Sequence, residues 1–133
     1  MTRLIQKIRT KIGQMDLLSD MWNIGFVTED IADVVKSDKL HIHWLKHNYT
    51  DRWFADPFLL EVTEKQIIVL VEEFCYKIRK GRIARLVISR PDYVLQDMKI
   101  VLEMPYHLSF PVICQKDDET FVMPECALSG ELN

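Results

Sequence analysis

Residues 52–74, R-W-F-A-D-P-F-L-L-E-V-T-E-K-Q-I-I-V-L-V-E-E-F, decide the fold. They read as two β-strands joined by a short polar turn. An aspartate sits at the mouth of the first strand and a pair of glutamates at the end of the second. Pro57 opens the first strand, a position where its missing N–H is tolerated, and it biases Asp56 toward extended geometry. Phe58, Leu60 and Val62 share one face, with Leu59 and Glu61 on the other. Thr63 to Gln66 make the turn. Ile67 to Val71 is an unbroken apolar run rich in β-branched residues, as expected of a strand covered on both faces. Glu72 and Glu73 follow, and carboxylates at the end of such a strand require water or a partner, because burying a lone charge is costly.

The pattern returns as S-F-P-V-I-C-Q-K-D-D-E-T-F-V-M-P-E at 109–125. Pro111 opens a strand, Lys116 to Glu119 form a turn, and Thr120 to Met123 return. Pro57 to Glu72 spans 15 residues, Pro111 to Glu125 spans 14, and the two prolines lie 54 apart. Between the copies stand two more strand candidates, Arg82 to Ser89 and Lys99 to Met104. Four strands per period of about 40–50 residues is the signature of a β-propeller blade. A β-sandwich with two similar hairpins is the competing architecture.

The 133 residues are 48% hydrophobic and 28% charged, with a net charge of −3. That is one ordinary globular domain. There is no basic excess to hold nucleic acid or an anionic membrane. No stretch approaches the roughly 18 apolar residues of a membrane span, and the N-terminus lacks a secretory apolar core. A cytoplasmic location is therefore expected. Cys75, Cys114 and Cys126 are too few and too widely spaced for a disulfide framework, and they fit a reducing compartment. Cys114 and Cys126 read as buried small hydrophobes.

Elsewhere the signals are local. Leu4, Ile5, Ile8 and Ile12 have helical spacing, which predicts a short amphipathic helix to about Gln14. Trp22 to Val27 reads as a strand. Thr28 to Val35 reads as one or two helical turns with Thr28 as N-cap. Leu40 to Leu45 reads as another strand, with His41 and His43 on one face. Two histidines without a third ligand do not make a metal site, so no metal or cofactor is expected. Lys77 to Gly81 is a basic turn in which Gly81 supplies a positive φ.

The stretches W-F-A-D-P-F-L-L at 53–60, V-L-V-E-E-F at 69–74, K-G-R-I at 80–83, L-E-M-P-Y-H-L-S-F-P at 102–111 and M-P-E at 123–125 carry a resemblance. Together they resemble the N-terminal region of the five-bladed propeller domain of glucosamine inositolphosphorylceramide transferase proteins and their bacterial relatives. That domain is in turn similar to propeller glycosidases of the arabinanase and β-xylosidase type. The resemblance covers about Trp22 to Glu125. It implies a mainly β fold, about one and a half blades of a five-bladed β-propeller preceded by a short N-terminal helix. The corresponding divisions are a helical segment over 1–20, a partial propeller over 21–126 and a flexible tail over 127–133.

In those glycosidases the aspartate of a D-P motif on the innermost strand of the first blade is the general base, which makes Asp56 the candidate here. An inverting hydrolase needs a second carboxyl group about 6.5–9.5 Å away as general acid. The family draws it from later blades, and no residue of this chain matches it by position. The chain alone is therefore expected not to hydrolyse glycosides. Trp53, Glu73, His107 and Glu125 are the candidate ligand-binding residues, since carboxylates and imidazole suit sugar hydroxyls and aromatic rings suit the sugar ring. Asp56, Ser109, Glu73 and Glu125 are expected to face one mouth. In the competing assignment Asp56 caps a turn, the glutamates pair with Arg79, Lys80 or Arg82, and the aromatics are core.

The expected function is that of a glycosidase-like module binding a carbohydrate or sugar conjugate. The alternative is a non-catalytic interaction module supporting a transferase or an assembly. An incomplete propeller is also expected to leave Ile67 to Val71 short of cover and Thr120 to Met123 as an open edge. Homo-oligomerisation through that edge follows.

Overall fold

The computed structural model of the chain describes residues 21–130. Eight strands appear in chain order: β1 (Gly25–Phe26), β2 (His43–Trp44), β3 (Arg52–Val62), β4 (Gln66–Cys75), β5 (Lys80–Ser89), β6 (Leu95–Leu102), β7 (Ser109–Lys116) and β8 (Glu119–Glu125). One short helix, α1 (Ile31–Lys36), lies between β1 and β2. Strands β3 to β6 form one antiparallel sheet in chain order, while β1–β2 and β7–β8 form separate two-stranded sheets. The protein is thus mainly β. The amphipathic helix expected before Gln14 lies outside the described residues. No helix among the described residues is long and apolar enough to cross a membrane.

The central sheet is covered on both faces. Phe54, Val69, Val71, Leu86 and Ile88 form one buried layer under Ile24, Leu45 and Tyr93, brought over by the segment before β3 and the β5–β6 turn. Leu70 and Ile83 point the other way, where Leu108, Phe58 and Ile113 close over them. Burying each such aliphatic side chain contributes roughly 1.5–3 kcal/mol. The expectation that Ile67 to Val71 lacks cover is overturned: Ile67, Val69, Leu70 and Val71 are all buried. The N-terminal segment does on one side what β7 does on the other, since β7 packs across β3, β4 and β5.

The sequence repeat is also a structural repeat. Ala55 pairs with Glu72 and Phe58 with Leu70, so Asp56 and Pro57 stand opposite Val71 alone. Ser109 pairs with Glu125 and Val112 with Met123, so Phe110 and Pro111 stand opposite Pro124 alone. Two residues facing one is a β-bulge. The residue before each proline has positive φ, 49° at Asp56 and 45° at Phe110. The extended geometry expected of Asp56 is therefore wrong. The bulge overrides the pre-proline bias and stores strain of about 1–3 kcal/mol at each site. The strand also begins earlier than Pro57, at Arg52.

Other local expectations are corrected. The strands predicted over Trp22–Val27 and Leu40–Leu45 shrink to two residues each, β1 and β2, which pair with one another. Helix α1 is capped by Asp30, whose Oδ1 accepts from the Ala32 N–H at 3.4 Å, and not by Thr28. The positive φ in the β4–β5 turn belongs to Arg79 and not to Gly81. Ala127–Ser129 forms a short 3-10 turn where a frayed tail was expected. Cys114 is exposed and Cys126 half-buried, whereas Cys75 is the buried thiol. Cys114 pairs with Phe121, and the exposure of both residues leaves that face of the second hairpin uncovered.

Candidate functional site

Strand alternation sends Glu72 and Glu73 to opposite faces of β4. Glu73 joins the layer of Val71 and is fully buried. Its Oε1 accepts from Arg52 Nη1 at 2.8 Å and from Arg82 Nη2 at 3.0 Å, and its Oε2 accepts from Arg82 Nε at 2.9 Å. Arg52 is held in turn by Asp51 through two bonds of 2.8 and 2.7 Å, and Arg82 reaches Glu103 at 3.1 Å. The Arg52 guanidinium also lies 4.6 Å from the centre of the Tyr49 ring. This network satisfies a buried carboxylate with two forked cations.

Glu72 lies on the other face, also buried, beneath the chain that leads into β7. His107 fixes one of its oxygens. The Gly81 N–H donates to His107 Nδ1 at 3.1 Å, so Nδ1 is an acceptor and the ring proton is on Nε2. Nε2 lies 3.1 Å from Glu72 Oε1 and donates to it. Gly81 makes this approach possible. A Cβ there would fall 2.5 Å from the Leu108 carbonyl oxygen and 2.8 Å from both Glu72 Oε1 and His107 Cε1. Glycine is required at this point for close packing and not for its φ.

The bulge brings Asp56 to the same place. Its Oδ2 accepts from the Phe110 N–H at 3.3 Å, so the bulge of the first hairpin is tied to the bulge of the second. Burial pushes the Glu72 carboxyl up to about 8, helped by the charge of Asp56, a hydrogen bond to it and the charge of Glu125. Glu72 therefore keeps its proton at neutral pH.

Of the residues singled out from the sequence, His107 is bonded to Glu72, and Asp56 and Glu125 lie near enough for their charges to act on it. Trp53 lies on the same face and stacks on Phe74, with ring centres 4.8 Å apart and planes 4° from parallel. Phe74 in turn lies 6.0 Å from the His107 ring. Glu73 does not face this mouth. Its place is taken by Glu72, and the repeat held the signal for this: Glu72 follows Pro57 at nearly the spacing by which Glu125 follows Pro111. His43 stacks on Tyr93 at 4.8 Å. Among the described residues no group of three His, Cys, Asp or Glu side chains is placed to hold a metal ion.

Two cavities flank the central sheet. The larger, about 900 Å³, is bordered by Lys46, His47, Tyr49, Arg52 and Asp97 and by none of Asp56, Glu72, His107 and Glu125. The smaller, about 480 Å³, opens beside Asp56 between Trp22 and Ile24 on one side and Phe58 and Phe110 on the other. Its size falls within the roughly 300–1,000 Å³ of small-molecule sites. Chemistry and not volume selects the smaller one, because it alone includes a member of the carboxyl pair.

A family model described as glucosamine inositolphosphorylceramide transferase 1, N-terminal, matches residues 39–133. No curated protein matches the chain, and no solved structure does.

Proposed function

Because this chain belongs to the glucosamine inositolphosphorylceramide transferase 1 N-terminal family, we propose that it is the sugar-conjugate-binding module of a transferase. The mouth formed by Asp56, Glu72, His107 and Glu125 is the binding site in this reading. The observation that carries it is the bulge at Asp56, tied by its carboxylate to the matching bulge 54 residues on and opening on a cavity that Asp56 lines. Positive φ at non-glycine residues is costly and tends to persist where it aims a functional group. The succession of a four-stranded sheet and a second hairpin with the same bulge supports a propeller-like arrangement of blades.

The chemistry favours binding over hydrolysis by this chain alone. A glycosidase sets a second carboxyl group about 5–5.5 Å away when retaining and about 6.5–9.5 Å away when inverting, open to the glycosidic bond between them. Glu72 is buried and held by His107, which denies it access to a glycosidic bond. It acts instead as a buried, protonated neighbour that helps to hold Asp56 in place. Asp56 is then the acceptor for a sugar hydroxyl, and the general base if a reacting group is brought to it.

One observation favours a second reading, a non-catalytic scaffold. The Asp56–Phe110 bond and the Glu72–His107–Gly81 chain fasten the second hairpin to the first sheet. Titration calorimetry with methyl glycosides separates the two. Asp56→Asn is expected to weaken glycoside binding about tenfold while the fold persists. Binding unchanged by Asp56→Asn, together with a large loss of melting temperature, overturns the binding role and leaves the scaffold.

A further inference from the structure

Two aromatic rings at the smaller cavity are largely open to solvent, although Phe110 also meets Phe58 edge-on, with ring centres 5.1 Å apart. Trp22 is 62% exposed and Phe110 is 48% exposed, and both border the cavity that Asp56 lines. The other polar side chain there, Asn23, is already committed: its Nδ2 donates to the Leu45 carbonyl at 3.0 Å and its Oδ1 accepts from the Ile24 N–H at 2.9 Å. Trp53, the tryptophan nearest Asp56 in sequence, is stacked on Phe74. The cavity therefore offers two apolar ring faces, an otherwise apolar wall of Ile24, Pro57 and Phe58, and one carboxylate.

We propose that this cavity is a monosaccharide subsite that takes a neutral or amino pyranose, with Trp22 and Phe110 as its ring platforms and Asp56 as its hydrogen-bond acceptor. The inference rests on the reading of the Asp56 mouth as a sugar site and adds the residues and the selectivity. A pyranose has a face of C–H groups that packs on aromatic rings and an edge of hydroxyls that donates to carboxylates. An apolar lining with one or two polar groups is the usual composition of small-ligand sites.

Charge sets the selectivity. Among the described residues Asp56 makes no ion pair with a cationic side chain, and the charge of Glu125 acts on Glu72. His107 is engaged with Glu72 and Gly81. An ammonium group on the sugar is favoured in this setting, and a carboxylate or phosphate on it is repelled.

The test uses the full chain and three probes: methyl glucopyranoside, glucosamine and glucuronate. The Trp22 indole N–H resonance, identified by its loss in Trp22→Phe, is followed during titration. The first two probes are expected to shift it and glucuronate to leave it still. Trp22→Ala and Phe110→Ala are each expected to weaken binding about fivefold to tenfold, with Trp22→Phe retaining most of it. Binding that is sensitive to Asp56→Asn but indifferent to Trp22→Ala and Phe110→Ala overturns the subsite while keeping the carboxylate mouth. Loss in Trp22→Ala without loss in Asp56→Asn supports the platform and removes Asp56 as its acceptor. Equal binding of glucuronate overturns the selectivity, and no shift with any probe overturns both readings.

Discussion

Raising the pH from about 5 to about 9 is expected to destabilise the native chain through Glu72, and Glu72→Gln is expected to abolish that part of the dependence. The ordinary value of this carboxyl is 4.5, and the folded protein pushes it up to about 8. An acid whose folded value is raised binds more protons folded than unfolded between the two values. Stability therefore falls as pH rises through that window, with no penalty below about 4.5 and the full penalty above about 8. At about 1.4 kcal/mol per unit the shift corresponds to about 3–5 kcal/mol, an order-of-magnitude figure. Burial is the leading cause, with Asp56 and then Glu125 adding to it, while His107 faces the same carboxyl from the chain before β7. A glutamine has the shape of the protonated acid, so the variant should match the native chain near pH 5 and exceed it in stability near pH 9. Urea denaturation across the range gives both curves. Burial holds His47 below its usual value, which lowers stability as pH falls through the histidine range, but that contribution is common to both proteins and cancels in the difference. A difference that stays flat from pH 5 to pH 9 refutes the reading of Glu72 as a carboxyl that burial keeps protonated.

Three further outcomes follow from the packing. Gly81→Ala should cost about 1–3 kcal/mol and release the His107–Glu72 contact, because its Cβ has no room against the Leu108 carbonyl; a denaturation midpoint within error of the native one refutes this. Arg82→Leu should cost about 3 kcal/mol, since it leaves the fully buried Glu73 with Arg52 alone, and a loss in urea unfolding below about 0.5 kcal/mol counts against the network. The exposed Phe121 and Met123 on β8, a strand paired only with β7 among the described residues, should mediate self-association. Sedimentation at micromolar concentration should show a dimer or larger species that Phe121→Lys disperses, and a monomer for the native chain sinks that expectation.

Local physics made much of this legible in the sequence. The apolar run Ile67 to Val71, the polar turn before it and the glutamate pair after it could only be a strand buried on both sides, because its pattern has no polar face. The proline-led hairpins declared themselves by spacing, while Asp56 was singled out by the resemblance of its D-P motif and Glu125 by its place at a strand end. What could not be read locally was decided by register and by approach between distant segments. The pre-proline rule makes Asp56 extended, but pairing Ala55 with Glu72 and Phe58 with Leu70 forces a bulge and a positive φ. Strand alternation says that Glu72 and Glu73 part company. Only the arrival of Arg52 and Arg82 on one face and of His107 on the other says which becomes an ion pair and which a protonated acid. Gly81 looks like a turn glycine until the Leu108 carbonyl is found against it. Trp22, 34 residues before Asp56, carries no local mark of a site, because its position at the cavity follows from how the N-terminal segment crosses the sheet. Periodicity is written in neighbours along the chain and is read there. Proximity between segments is set by how the faces close, which only the folded chain determines.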